Sequence, residues 1–148
     1  MSRDMAAGDV AAGGLAAGGG VRGARATLVE LLQRAAANDP AQGDLYADDA
    51  IHEVPWAPAG KPMTMTAPML RAAISAAGDP PLQDQTLDVR SLISEGDVAC
   101  AEYAMTGTLR RSGEPFQLSG VIVIRVRAGQ IVHSRSYMDP QALASLAG

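Results

Sequence analysis

The sequence has one cysteine, one tryptophan, one phenylalanine, three tyrosines and two histidines among 148 residues. A lone Cys100 cannot close an intramolecular disulfide, and a small apolar residue in a strand pattern is expected to be buried. With His52 and His133 the only histidines, no metal site of the usual Cys/His spacing can be assembled. No cofactor is expected either, since the glycine run Gly18–Gly20 follows no strand pattern and so forms no phosphate loop. Apolar runs long enough to cross a membrane, roughly eighteen residues, are missing as well. Twelve basic residues stand against sixteen acidic ones, for a net charge of −4. That balance gives no electrostatic footprint for nucleic acid or an anionic membrane. The one basic cluster, Arg110-Arg111, reads as a solvated hairpin tip. Met1–Gly23 is rich in Ala and Gly, carries Asp4 and Asp9, and lacks a long apolar core. It reads as a flexible tail rather than a secretory signal, and the protein is placed in the cytoplasm.

What remains suits a globular chain: 47% hydrophobic and 19% charged residues, enough for one domain over 24–148. Helical spacing of Leu28, Leu31, Leu32 and Ala35 predicts a helix over 26–38, ended by Asp39-Pro40. A short helix follows near 41–46, then a strand over 51–56 and a loop to Pro62. Thr66 is placed to cap a third helix that stops at Gly78-Asp79-Pro80-Pro81. The period then changes. Extended runs at 85–94, 98–109, 118–127 and 130–138, parted by short turns, predict a four-stranded antiparallel meander, with a terminal helix over 141–147. Helices first and a meander afterwards give an α+β chain.

Alternation assigns the faces. Leu118, Gly120, Ile122, Ile124 and Val126 share one side of their strand. Grouping the charged residues puts Glu102, Arg125, Arg127, His133 and Arg135 outside, leaving Tyr103, Met105, Ile122, Ile124, Ser134, Ser136 and Met138 inside. Val121 and Val123, ringed by charges on the outer face, would make the centre of a self-complementary interface, so a homodimer is expected.

Three strings, Leu45-Tyr46-Ala47-Asp48-Asp49-Ala50, Gly129-Gln130-Ile131 and Arg135-Ser136-Tyr137-Met138-Asp139, with this order of elements, resemble the nuclear transport factor two-like superfamily. That group holds ketosteroid isomerase, limonene epoxide hydrolase and the SnoaL-like polyketide cyclases. The likeness spans Ala26–Gly148 and implies a cone: a curved antiparallel sheet wrapped around the N-terminal helices, enclosing an apolar pocket. The relatives' chemistry does not transfer. Val54 stands where ketosteroid isomerase has its base, Ile122 at its oxyanion-stabilising acid, and Glu30 near its tyrosine. Met105, Tyr103 and Ser136 occupy the epoxide hydrolase Asp-Arg-Asp set. The cyclases' acid/base Asp and His fall at Ser136 and near Ile122. Val and Ile can neither take nor give a proton, so none of the three activities is expected.

The polar residues left for chemistry are few. His52 shares a strand face with Val54 and could exchange a proton near neutral pH, or could simply be hydrogen-bonded in the core. Trp56, on the same face, would give a flat wall. Tyr103, Ser134 and Ser136 offer neutral hydrogen-bond donors, and Glu30 would be the one inward carboxylate if its helix face turns inside. Asp49 and Asp139 read as turn caps, and Met63, Met65 and Met69 as a lid or core filling. His52, Tyr103 and Ser136 are therefore the expected catalytic residues. Trp56, Val54, Met105, Gly120, Ile122, Ser134, Met138 and Glu30 are expected around an apolar, polyketide-like substrate. The resemblance implies a cyclase or isomerase of secondary, antibiotic-type metabolism that orients its substrate for ring closure, even a cycloaddition, without an essential carboxylate. The alternative is a non-catalytic binding or assembly module, and convergence of His52, Tyr103 and Ser136 on one cavity discriminates between the two.

Overall fold

The computed structural model describes residues 5–6, 22–58, 60–76 and 80–147. In chain order these form β1 (Met5–Ala6), α1 (Ala24–Ala36), a 3₁₀ helix (Pro40–Leu45), β2 (Tyr46–Val54), β3 (Met63–Thr66) and α2 (Ala67–Ala76). Then come β4 (Leu82–Glu95), β5 (Val98–Leu109), β6 (Pro115–Arg127), β7 (Gln130–Met138) and α3 (Pro140–Ala147). One curved, unclosed sheet takes the strands in the order β1-β4-β5-β6-β7-β2-β3. Its neighbours are antiparallel except β2 and β7, which run parallel. Of the expected tail, residues 1–4 and 7–21 lie outside the described residues, and Met5–Ala6 pair with Val89 and Asp88 at the edge of β4.

Helix α1 buries Thr27, Leu28, Leu31 and Leu32 against the sheet, the face its apolar spacing marks. At its C-terminus the backbone amides of Ala37, Asp39 and Asn38 take up the Gln33, Arg34 and Ala35 carbonyls. Gln85 of β4 adds a partner for Ala36 and a second for Ala35, its Nε2 donating to their oxygens at 2.7 and 2.8 Å. Thr66 caps α2, its Oγ1 accepting from the Met69 amide at 3.4 Å. Asp139 does the same for α3, accepting from the Gln141 amide at 2.9 Å. The β6–β7 hairpin turns on Ala128 and Gly129, with φ of 52° and 79°. Two consecutive positive φ values are what a two-residue turn of matching twist requires.

The meander faces fall as alternation assigns them. Leu118, Gly120, Ile122, Ile124 and Val126 are buried, Val121 and Val123 half-buried, and Glu102, Arg125, Arg127 and Arg135 exposed. Cys100 departs from expectation: the inward positions of β5 are Ala99, Ala101 and Tyr103, so Cys100 is half-buried on the outer side.

The expected strand over 51–56 is also corrected. Strand β2 starts at Tyr46 and ends at Val54, which leaves Trp56 in the turn beyond it. Between Tyr46 and Ile51 the pairing with β7 shifts register, and Asp48 and Asp49 stand exposed in that irregular stretch. The break in alternation hides the strand from a pattern reading. Arg71 of α2 holds the stretch down, donating to Asp48 Oδ1 at 2.9 Å, to the Gly43 carbonyl at 3.2 Å and to the Tyr46 carbonyl. The expected loop before α2 contains β3, which pairs with β2 from Ile51↔Thr66 to Val54↔Met63. Met63 and Met69 are exposed, so they are not core filling.

Candidate functional site

Between the helices and the concave face of the sheet lies a cavity of about 200 Å³. An apolar cavity of about 150 Å³ already admits benzene, so this one has room for a small ring system. Helix α1 contributes Leu31, Leu32 and Ala35, α2 contributes Leu70 and Ile74, and the sheet adds Leu87, Met105 and Ile122. Four polar side chains besides Tyr103 border it: Gln42, Tyr46, His52 and Ser136. No lining residue carries a carboxylate or a permanent charge. Among the described residues no three His, Cys, Asp or Glu side chains gather as a metal site.

His52, Tyr103 and Ser136, singled out in three separate stretches of sequence, therefore face one cavity, with Met105 and Ile122 beside them. Ser134 stands one layer behind. It pairs with His52 across the parallel β2–β7 seam, is fully buried, and has its Oγ 2.6 Å from His52 Nδ1. Gly120 pairs with Tyr103 across β5 and β6, and its bare Cα leaves room for the phenol. Met138 packs beside it, and a Cβ on Gly120 would lie 3.1 Å from Met138 Cγ.

Ser134, Gly120 and Met138 thus do not line the cavity, the last two bordering a separate depression beside Trp56, and three more expected pocket residues lie farther off. Trp56 is 57% exposed, because β2 ends before it, and it rests edge-on against Tyr137 with ring centroids 5.1 Å apart. Glu30 turns along its own helix to Arg34 at 2.9 Å, a pairing one turn away that keeps the carboxylate off the cavity. Val54 is buried at the end of β2 but does not border the cavity.

Tyr46 is the residue that the pattern reading passes over. It is buried, lines the cavity, and stands edge-on to His52 with ring centroids 6.5 Å apart. Its hydroxyl lies 3.4 Å from Ser134 Oγ. A strand extended back from Ile51 would have put position 46 at even spacing from 52, the one signal the sequence offers.

The electrostatics follow from burial. Desolvation pushes the Tyr103 phenol up to about 12. It also raises Tyr46, although the bond to Ser134 opposes this. His52 is lowered, first by burial, then by His133, with Glu53 pulling the other way. At neutral pH the cavity thus presents two protonated phenols, a neutral imidazole and a serine hydroxyl. Donors of this kind suit a ligand oxygen that gains negative charge, and the imidazole suits proton exchange. On the opposite side of the same two strands His133 Nε2 pairs with Glu53.

Comparison with known proteins agrees with this architecture. Residues 25–134 match the SnoaL-like domain family. A Bacillus subtilis protein provisionally described as an isomerase superimposes with a TM-score of 0.68 at 22% identity, covering 97% of this chain and 96% of its own. IdmH from Streptomyces antibioticus, provisionally described as a polyketide cyclase, gives 0.64 at 20% identity, over 82% and 96% of the two chains. A phenazine biosynthesis-related protein from Pseudomonas aeruginosa gives 0.65 at 13% identity, over 82% and 78%. No curated protein matches the chain significantly. The neighbours thus include proteins tied to secondary metabolism, and at these identities the likeness is one of fold. Among the described residues no helix is long and apolar enough to cross a membrane.

Proposed function

The chain belongs to the SnoaL-like domain family, and from that premise we propose that it is a cyclase or isomerase of polyketide-type secondary metabolism. It acts on an apolar carbonyl compound, folding it inside the cavity and polarising one oxygen while the reacting ends are held together. A cycloaddition-type closure suits such a site. Holding two ends in a near-attack pose supplies several kcal/mol of barrier lowering, on the order of 7–11 in the best intramolecular cases. The observation that carries the reading is the convergence of His52, Tyr103 and Ser136 on one apolar cavity with no carboxylate at its wall.

The experiment compares two bicyclic probes of nearly equal size, the ketone 2-tetralone and the hydrocarbon tetralin, by fluorescence titration. Each hydrogen bond from Tyr103 or Ser136 to the carbonyl is worth about 1 kcal/mol, so with both made the ketone should bind about thirtyfold tighter. Equal affinities would sink the reading.

The active unit in this proposal is a homodimer formed through the outer sheet face. Trp56, Tyr137 and Val121 line a shallow depression there, with Glu102 and Asp139 at its rim. The cytoplasm is the proposed compartment, supported by a single cysteine with no partner for a disulfide.

A further inference from the structure

Tyr46 and His52 both border the cavity, and one buried hydroxyl, that of Ser134, lies within hydrogen-bond distance of each: 2.6 Å to His52 Nδ1 and 3.4 Å to the Tyr46 oxygen. A serine hydroxyl can accept from one side while donating to the other. We infer that Tyr46, Ser134 and His52 form a proton relay whose two ends open on the same cavity. The inference deepens the reading above, on which it rests, by naming the step: proton exchange between a carbon and the oxygen of a bound ketone.

The protons balance without any further reactant. At the start His52 donates through Nδ1–H to Ser134, Ser134 donates to Tyr46, and Tyr46 donates to the carbonyl oxygen. The C–H bond next to the carbonyl breaks and its proton bonds to His52 Nε2, the nitrogen that Ser134 leaves free. The Nδ1 proton passes to Ser134, the serine proton to Tyr46, and the tyrosine proton to the carbonyl oxygen, giving a neutral enol. His52 ends as the other neutral tautomer. Running backward, Nε2–H returns to the same carbon in a saturated ketone. In a β,γ-unsaturated ketone, whose enol is a conjugated dienol, it is delivered to the γ-carbon as the C=O re-forms, and the relay returns to its first state leaving the conjugated isomer.

The fold holds these groups in place. The β2–β7 seam sets His52 opposite Ser134, and Arg71 fixes the backbone at Tyr46. Burial keeps both ends neutral, raising Tyr46 and lowering His52, so no ion has to be created inside the apolar cavity. The 3.4 Å step is the looser link, and such bonds are often long before a substrate arrives.

The test reads the His52 ring nitrogens directly, by ¹H–¹⁵N correlation spectra of the whole labelled chain at about pH 7.5, without substrate. Tyr46→Phe keeps the aromatic ring and removes only the hydroxyl. It should change the His52 Nδ1 and Nε2 shifts, and the change should vanish in a Ser134→Ala background. A Tyr46→Phe change that leaves His52 untouched, or that acts equally with Ser134 absent, would overturn the relay. The second arm follows deuterium uptake by 2-tetralone in D₂O. Ser134→Ala and Tyr46→Phe should each slow it at least tenfold, while Ser134→Thr, which restores a hydroxyl, should recover most of the rate. Uptake that needs His52 but is indifferent to Ser134 and Tyr46 would overturn the relay with the proposed function intact. Spectroscopic coupling in a protein that exchanges no deuterium would instead support the relay and overturn the ketone reading.

Discussion

Tyr103 lies directly over Gly120: the two pair across β5 and β6, and a Cβ at position 120 would fall 2.8 Å from the phenol oxygen and 2.9 Å from its ring carbon. The glycine is required by this close approach, not by its backbone angles. Gly120→Ala should therefore push the ring out of place at a cost of about 1–3 kcal/mol, the usual range for overpacking, and Gly120→Leu should cost more. Thermal melts and 2-tetralone titrations measured together should fall together. A Gly120→Ala protein with unaltered melting and affinity would mean that Tyr103 is not held there.

Function and stability should separate at the polar wall. Tyr103→Phe and Ser136→Ala each remove a donor that faces the cavity, so ketone affinity should drop about fivefold in each while tetralin affinity stays. Melting should hold or rise slightly, because an apolar replacement removes a desolvated hydroxyl. Calorimetry on the two variants checks this, and a large loss of stability in both would identify them as structural.

The pH dependence carries a sign. His52 in the folded chain sits below its ordinary value of 6.5, so the unfolded chain binds the extra proton first as pH falls. Its contribution to stability should be full above about pH 7, decline as pH drops through 6.5, and level off once the folded imidazole is protonated. The Tm difference between wild type and His52→Gln from pH 5 to 8 isolates that part. A flat difference would contradict the burial argument.

The outer face makes its own prediction. Val121 pairs with Glu102 across β5 and β6, so Val121→Glu would set two acids side by side within the depression lined by Trp56 and Tyr137. Light scattering at micromolar concentration should report a dimer for wild type and a monomer for the variant. A monomeric wild type ends the proposal.

A chain beginning at Arg22 should melt within a few degrees of the full one. Among the described residues it loses only the Met5–Ala6 pairing with Val89 and Asp88, and it keeps Gly23, whose carbonyl accepts the Thr27 amide and hydroxyl at 3.0 and 2.8 Å. A larger drop would make the N-terminal stretch part of the folded unit.

Much of the scaffold was legible because its signals are local. The runs at 98–109 and 130–138 are bounded by turn residues and are strands over those very residues, although a register shift against β6 breaks the alternation between Ile131 and His133. Tyr103, Ser136 and Ile122 could be placed from the same alternation. Strand β2 was legible only in its second half, since the exposed Asp48 and Asp49 interrupt its pattern, and Tyr46 was missed with the first half. Trp56 was misplaced because alternation does not say where a strand stops. Glu30 has a partner four residues away, and nothing in the helix pattern separates a carboxylate facing the cavity from a half-buried one paired along its own helix.

The parallel seam of β2 and β7 joins residues 82 positions apart, His52 and Ser134. A nascent chain emerging from the ribosome therefore carries His52 long before it carries the strand that completes that wall. Until β7 arrives, β2 has only β3 beside it, and a lone two-stranded ribbon is marginal in water. During synthesis the cavity wall can be completed only once the C-terminal strand is available to dock. Substitutions in the seam should slow the final stage of folding, while those in the β4–β5–β6 hairpins should act on its earlier stages.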